Sequence, residues 1–355
     1  MTLMARTMII VLLAVGCSTS GTVSVEARGK ADDIQKKYPQ DSFIVRSGTG
    51  DSPESASENA RLEIAKFFES KISGETIVQE TMKLQISGNK SKEQRMTQLS
   101  NSIKVSANRD IPGIEIAGTE KIRRSDSYEA WAVLDRSKYA GVLRDNIAKI
   151  DAEVDQLLSD TGGDDMKNLR DLTRVMNSLV ERKTSFQDLS LLGGGATSAR
   201  DNLLGAVITS LDSLIATSID VGLVWDGEVG SEIKTAVTNG FSESGIRIRE
   251  YDGISAAKDA GADLALRVRH DVSESERVST INNKEYKMGN YDWVLSVDAV
   301  DPSTDQVIDT NVQREKISEM GGMDRAKGRM LSKIMSEQVP VLSSWLYEFL
   351  FKTNQ

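Results

Sequence analysis

Between Ser137 and Thr217 the apolar residues return every three or four positions, and on either side of that stretch they alternate. A period near 3.6 lays a stripe along a helix, whereas a period of two sets one face of a strand against a core. The chain must therefore place sheet-forming segments on both sides of a helical middle. Tyr139, Leu143, Ile147, Ile150, Val154 and Leu157 form a first stripe that Gly162 and Gly163 end. Leu169, Leu172, Met176 and Leu179 form a second, and Leu204, Ile208, Leu211 and Ile215 a third, with Gly193, Gly194 and Gly195 between them. Stripes this short suit an antiparallel helical hairpin with a third helix leading onward, and they fall short of a long coiled coil. The fold class that follows is α+β, with two small mixed α/β sheet domains joined by a helical segment.

On the amino-terminal side, Phe43 to Val45 read as a strand entering Gly48-x-Gly50. Ser52 and Pro53 then supply a helix cap and a favoured first helical residue. The spacing predicts a helix over 53–73 that packs Ala56, Ala60, Ile64 and Phe67 against a sheet. Val78, Met82, Leu84 and Ile86 alternate as a further strand, Ile103 and Val105 allow a short one, and Ile111–Ile122 with Tyr128–Asp135 read as a hairpin. On the other side, strands are expected over Ile219–Trp225, Ile246–Arg249, Leu264–Val272, Trp293–Ala299 and Val307–Ile317, with helices over Val229–Phe241 and Ala256–Ala260. Asp301 to Asp305 read as a turn, and the terminal helix 324–351 should kink or split at Pro340.

Composition removes several function classes. The 53 acidic residues outnumber the 44 basic ones, for a net charge of -9, so no overall basic field favours nucleic acid. One cysteine excludes intrachain disulfides and cysteine-rich zinc sites, and one histidine leaves little material for histidine-based catalysis. Gly48-x-Gly50 lacks the third glycine of a dinucleotide loop and the Gly-Lys-Ser/Thr of a P-loop. No nucleophile-base-acid pattern, HExxH helix or catalytic cysteine motif is present, so no catalytic, metal-binding or cofactor-binding residue is assigned and the chain reads as a non-enzyme.

The amino terminus carries the compartment. Arg6 precedes the apolar run Met8–Val15, which as a helix rises only about 12 Å, far short of a membrane core. That is the pattern of a signal peptide. Leu13-Ala14-Val15-Gly16-Cys17 resembles a bacterial lipobox, with Ala14 where leucine is usual. The resemblance implies cleavage before Cys17 and attachment of palmitate-type acyl chains there, and two or more chains suffice for a stable anchor. Ser18 in place of the aspartate of the retention signal implies the outer membrane, facing the periplasm or the surface. The alternative for Cys17 is an ordinary small residue near a conventional cleavage site.

The segments SFIVRSGTG, SASENARLEIAKFFESKI, IPGIEIAGTEKI and EAWAVLDRSKY resemble the LPP-twenty lipoprotein family over roughly 38–146. That likeness implies a small α+β domain, shared with the amino-terminal part of a flagellar H-ring protein, and no catalytic residues. Arg61 and Arg136 match its pattern, with surface or sheet-edge pairing as the plain role. AGADLALRVR followed by WVLSVDAVDPSTDQVID resembles the TolB amino-terminal type of domain, over about 218–351, which implies periplasmic protein contacts. The organisation expected is a signal peptide over 1–16, a flexible tether over 17–33, an LPP-twenty-like domain over 34–146, a helical spacer over 147–217 and a TolB-like domain over 218–355.

Other residues invite functional readings beside plainer ones. His270 shares the strand face of Leu264, Leu266 and Val268, as a pH-sensitive group or a core histidine. Asp298, Asp301 and Asp305 suggest a calcium cage or ordinary turn chemistry. Arg267 and Arg269 suggest an anionic surface or a solvated strand face. Trp345, Tyr347, Phe349 and Phe351 suggest a membrane contact or packing back on the sheet. The sequence is thus read as a lipid-anchored envelope binding or scaffold protein, in a flagellar or other envelope complex, with membrane and envelope-protein partners, no nucleic acid and homo-oligomerisation open. The alternatives are an accessory activator of peptidoglycan synthesis or of export, and an envelope hydrolase.

Overall fold

A computed structural model of the chain describes residues 25–69, 111–160, 163–194 and 200–351, together with Lys92, Glu93, Arg95, Thr97 and Leu99. The fold is α+β, in two compact units: one of Met1–Phe67 and Ile111–Arg136, the other of Phe68–Asp110 and Ser137–Gln355. The strand expected over Val78–Ile86, the short one at Ile103–Val105 and Cys17 all lie outside the described residues.

In the first unit, helix α1 spans Val25–Lys37, strand β1 Phe43–Gly50, helix α2 begins at Pro53 and runs to Glu69, and strands β2 and β3 span Glu115–Lys121 and Tyr128–Asp135. The sheet is antiparallel in the order β1-β3-β2. The central strand β3 is the reason Ala130 to Leu134 are all buried: strands on both edges and helices leave neither face to water. The expected hairpin is present, with its turn at Ile122–Ser127. Ser52 caps α2, its Oγ accepting from Ser55 N at 3.1 Å. The buried stripe of α2 is Ala56, Ala60, Ile64 and Phe68, four apart throughout, and Phe67 is turned half out beneath the Arg46 guanidinium.

The tether differs from expectation. Residues 25–33 are helical, as part of α1, and not a free spacer. Ile34 is buried, its side chain 3.7 Å from the site where Gly118 would carry a Cβ, and Lys30 donates to the Thr119 carbonyl at 3.3 Å. A single buried isoleucine and one lysine clasp on β2 are too few to show as periodicity in a polar stretch.

The second unit opens with helices α3 (Arg136–Ser159), α4 (Asp165–Leu191) and α5 (Asp201–Thr217). Asp164 caps α4, its Oδ1 accepting from Lys167 N at 2.6 Å. Arg182 pairs with Asp151 at 2.7 Å and Arg174 with Glu153 at 3.6 Å, so α4 retraces α3 in the opposite direction, as the expected hairpin does. Strands β4 (Val221–Asp226), β5 (Ile248–Tyr251), β6 (Leu264–Ile281), β7 (Lys284–Asp301) and β8 (Gln306–Met320) follow, with helix α6 (Ser231–Glu243) before β5 and α7 (Ile254–Asp259) before β6. The sheet order is β5-β4-β6-β7-β8; β4 is parallel to both neighbours, and β6, β7 and β8 are antiparallel.

Residues 147–217 are not a separate spacer. Ile150, Val154, Leu169, Met176, Ile208 and Leu211 join one hydrophobic core with Leu266, Trp293, Val297 and Leu346, so the helices belong to the same unit as the sheet. The stripes of α3, α4 and α5 needed a partner surface, and the inner face of this sheet with its own covering helices supplies it. Ala257 of α7, with Ala265 and Val300, forms a small separate cluster on the other face.

Strands β6 and β7 are far longer than the apolar alternation indicates. Asn282 and Asn283, at φ 52° and 59°, make the tight turn that carries both strands to eighteen residues each. Val272, expected on the inward face, is 44% exposed because it lies past the covered part of that ribbon. The terminal helix divides as expected into α8 (Met323–Lys333) and α9 (Val339–Leu350). The join is a π-helical turn, Ile334–Gln338, with Pro340 in the first turn of α9 where its missing N–H costs nothing.

Candidate functional site

The residues singled out in the second unit lie on two faces of one sheet. β4 and β6 run in register from Val221 beside Leu264 to Asp226 beside Arg269, so the odd residues of β6 share the outer face. There Arg269 Nε donates to Asp226 at 3.1 Å, and Arg267 Nη2 donates to Asp298 at 3.1 Å. Thr310 Oγ1 donates to the other Asp298 oxygen at 2.8 Å. The result is a ladder of matched charges across three strands. The guanidinium of Arg269 holds the Asp226 carboxyl below the usual carboxylate range.

Asp298, Asp301 and Asp305 are not brought together as a cage. Asp298 is engaged by Arg267 and Thr310. Asp301 Oδ1 accepts from Ser303 N at 2.8 Å and Ser303 Oγ at 2.6 Å, which lowers its pKa, and Asp305 takes a positive φ in the same turn. That is aspartate turn chemistry. Among the described residues no group of three or more histidine, cysteine, aspartate or glutamate side chains is placed to hold a metal ion.

Gly48 and Gly50 serve packing. A Cβ on Gly48 would overlap the backbone of Asn59 and Ala60, and one on Gly50 the backbone of Ser55 and Ala56, so both glycines let α2 lie directly on β1. Arg61 donates to the Ile114 carbonyl at 2.9 Å and Arg136 to the Gln40 carbonyl at 3.0 Å, which fastens chain segments of the first unit. Tyr347 and Phe351 are buried and stacked on each other, while Trp345 and Phe349 pack partly buried on the core. Tyr347 Oη donates to the Ser244 carbonyl at 2.9 Å. The aromatic end of the chain therefore packs back on the sheet.

His270 lies on the inner face just past the end of β4, 6.4 Å from the Trp293 ring. Burial lowers its pKa below the ordinary histidine value, against a smaller opposing effect of Asp271. Among the described residues, His270 Nε2, Trp293 Nε1 and Trp225 Nε1 are buried without a hydrogen-bond partner, and the Lys234 ammonium stands 5.4 Å over the Trp225 ring. Three such nitrogens are costly at roughly 1–3 kcal/mol each. Sequence reasoning found His270 but not the two tryptophans beside it, because only the register of β4, β6 and β7 brings them together. It also passed over Asp220, a buried carboxylate that accepts from Arg249 through both oxygens and whose own N–H donates to Asp263 Oδ2 at 2.8 Å. The available signal was a charged residue directly ahead of an apolar strand.

No family model matches the chain, and no curated protein does. Among solved structures, a secreted protein from Helicobacter pylori is similar at 11% identity and a TM-score of 0.42, covering 88% of this chain and 100% of its own. A minor lipoprotein from Acinetobacter baumannii is similar at 7% identity and a TM-score of 0.23, covering 38% of this chain and 92% of its own. A PelC dodecamer from Paraburkholderia phytofirmans is similar at 14% identity and a TM-score of 0.22, covering 33% and 86%. Likeness at this level establishes neither family nor function.

Proposed function

We propose that the chain is a lipid-anchored protein of the cell envelope, held at the outer membrane facing the periplasm, and that it binds or scaffolds other envelope proteins without catalysing a reaction. The observation that carries this reading is Cys17. It is the sole cysteine of 355 residues, and it stands immediately after an eight-residue apolar run and a small residue. A cysteine placed there at random is improbable in a chain that uses the residue nowhere else. An acyl anchor is the means of attachment this reading supplies, and among the described residues no helix is long and apolar enough to cross a membrane. The LPP-twenty-like and TolB-like segments support envelope-protein partners, in a flagellar or another envelope complex. The charged groups of the second sheet, tied in ion pairs across the outer face, suit a display surface better than a reaction centre.

The test is intact mass and membrane partitioning after expression in a lipoprotein-processing bacterium, beside Cys17→Ser. A mature chain that starts at acylated Cys17, with the variant losing both lipid and membrane association, is the expected result. A wild-type protein that stays uncut, or is cut elsewhere and carries no lipid, overturns the anchor and the compartment with it.

A further inference from the structure

The first unit holds the start of α1 and one end of its sheet close together. Tyr38, just after α1, meets the Phe43 ring at 5.1 Å, and Phe43 stands opposite Asp135. Ile34 reaches Gly118, opposite Trp131, and Lys30 reaches Thr119 and Glu120, opposite Ala130 and Glu129. Followed backward, α1 therefore climbs the sheet toward the turn between β2 and β3. Val25 lies about 7 Å along the helix before Lys30, and Ile122 about 7 Å along the strand past Glu120. The amino end of α1 and the turn thus share one end of the unit. The chain from Cys17 to Val25 spans at most about 29 Å even when fully extended.

That turn is basic at its tip. Ile122 N–H donates to the Ser127 carbonyl at 2.9 Å and Ser125 N–H to the Ile122 carbonyl at 3.1 Å, so Arg123 and Arg124 occupy the bend itself, and both are exposed. Residues 120–126 line a shallow open hollow. Arg124 takes a φ of 64°. The other non-glycine residues with positive φ among the described ones are Asn282, Asn283 and Asp305, short side chains that accept this backbone readily. An arginine held there instead points to a use for its side chain. The acids at this end lie elsewhere: Asp126 pairs with Lys121 at 3.4 Å, Glu120 stands 3.8 Å from Lys30, and Glu129 is half-buried opposite Glu120. Asp51 and Glu54 sit at the amino end of α2, whose positive pole they offset. The two arginines are the charges carried at the outermost point of the hairpin.

We propose that the Arg123–Arg124 turn is a membrane-contact site that takes the phosphates of anionic lipid headgroups, and that it turns this end of the first unit toward the bilayer. The contact rests on the lipid anchor at Cys17. Anchor and turn share one end of the unit, so anchoring brings the turn to the headgroups with no change of fold. A guanidinium matches a phosphate through paired N–H donors, which an ammonium group lacks. A chain of net charge -9 has no general attraction for an anionic surface, so the contact has to be made by a local basic tip. A soluble phosphate-bearing partner could meet the same arginines, but it gains nothing from their place at the anchored end.

The experiment uses the processed full-length lipoprotein, in which an introduced cysteine is the one reactive thiol, because Cys17 is the sole native cysteine and its sulfur is acylated. Ser125→Cys and, at the opposite end of the unit, Asp41→Cys each carry an environment-sensitive fluorophore in vesicles of phosphatidylcholine alone or mixed with phosphatidylglycerol. The label at 125 is expected to shift to the blue in the mixed vesicles and not in the neutral ones, and the label at 41 in neither. An arginine near an anionic surface supplies about a fivefold bias. Arg124→Gly, which suits the left-handed turn, should therefore lower the ratio of docked to free turn about fivefold, and Arg123→Glu with Arg124→Glu should abolish the shift. Circular dichroism checks that the variants fold alike. An unmoved label at 125, an equal shift in both vesicles, or a shift that survives the double charge reversal overturns the proposal. So does a shift already present in neutral detergent, the sign of a protein over the turn. Intact mass keeps the two readings apart: a chain without lipid on Cys17 removes the anchor and this contact with it, whereas a lipidated chain with an unmoved label removes the contact alone.

Discussion

Gly48→Ala tests whether the Gly-x-Gly segment is a packing device. Gly48 stands opposite Ala130 in the sheet, with the backbone of Asn59 and Ala60 against its α-carbon on the other side. A methyl there overlaps main-chain atoms of α2, which no rotamer change can relieve, so either β1 or α2 must shift. Overpacking of this type costs about 1–3 kcal/mol. The backbone of Gly48 is not left-handed, so alanine itself is unstrained and recovers about 0.4–1 kcal/mol through the unfolded chain. The net loss is roughly 1–2 kcal/mol, and for a domain of this size each kcal/mol lowers Tm by roughly 4–8 °C. Scanning calorimetry measures the shift, and hydrogen exchange on β1 and β3 peptides assigns it to the first unit. Gly141→Ala is the matched control: it lies inside α3, a Cβ there meets nothing within 4 Å among the described residues, and a stabilisation of about 0.5–1 kcal/mol is expected. An unchanged transition for Gly48→Ala refutes the close approach of β1 and α2.

His270 is held neutral by burial, with its folded pKa below the ordinary 6.5. The unfolded chain therefore binds the proton first as pH falls, and the stability this group contributes is complete above about pH 6.5 and is lost below it. Urea midpoints should fall for wild type from pH 7.5 to 5.5 and fall less for His270→Asn; equal slopes count against a buried neutral imidazole. Gly240→Ala on α6 pushes a methyl into Val339, so a loss of about 1–3 kcal/mol is expected, partly restored in Gly240→Ala with Val339→Ala. Additive losses in that double-mutant cycle exclude the contact between α6 and α9. Arg182, with 9% of its side chain exposed and Asp151 at 2.7 Å, should cost about 2 kcal/mol on replacement by alanine, and the more exposed Arg200→Ala less, both read from denaturation midpoints.

The parts of the fold legible in the sequence are those where neighbours in the chain decide the structure. Ser52 and Pro53 announced α2, the three apolar stripes announced α3 to α5, and Asp301 to Asp305 announced the turn before β8. The unread parts depend on distant segments. Residues 25–33 are helical although nothing in their pattern shows a face, and the helices over 147–217 share a core with a sheet whose strands come later. The outer halves of β6 and β7 carry charged and polar residues on both faces, so they show no alternation; Asn282-Asn283 was the one local sign that a tight hairpin ends there. At the candidate site, His270, Arg267 and Arg269 were legible as residues, but their partners were not. Asp226 and Asp298 lie 43 and 31 positions away from the arginines they hold, and only strand order brings them together.

The first unit is assembled from two separated pieces of chain, and that dictates an order of events. β2 and β3 are joined by a short turn and can pair as soon as both exist, whereas β1 must wait for a partner about 80 residues downstream. By the logarithmic law of loop closure, that wait corresponds to roughly 2 kcal/mol more lost chain entropy than closing the hairpin. Stretches with contacts this distant fold slowly. A chain emerging amino terminus first, from a ribosome or through a membrane pore, can lay α2 on the glycine face of β1 at once, but the backbone edge of β1 that pairs with β3 stays without its partner until Asp135 has come through. For that interval the unit offers an unpaired strand to whatever is nearby, and a holding chaperone on the exit side is where that risk would be met.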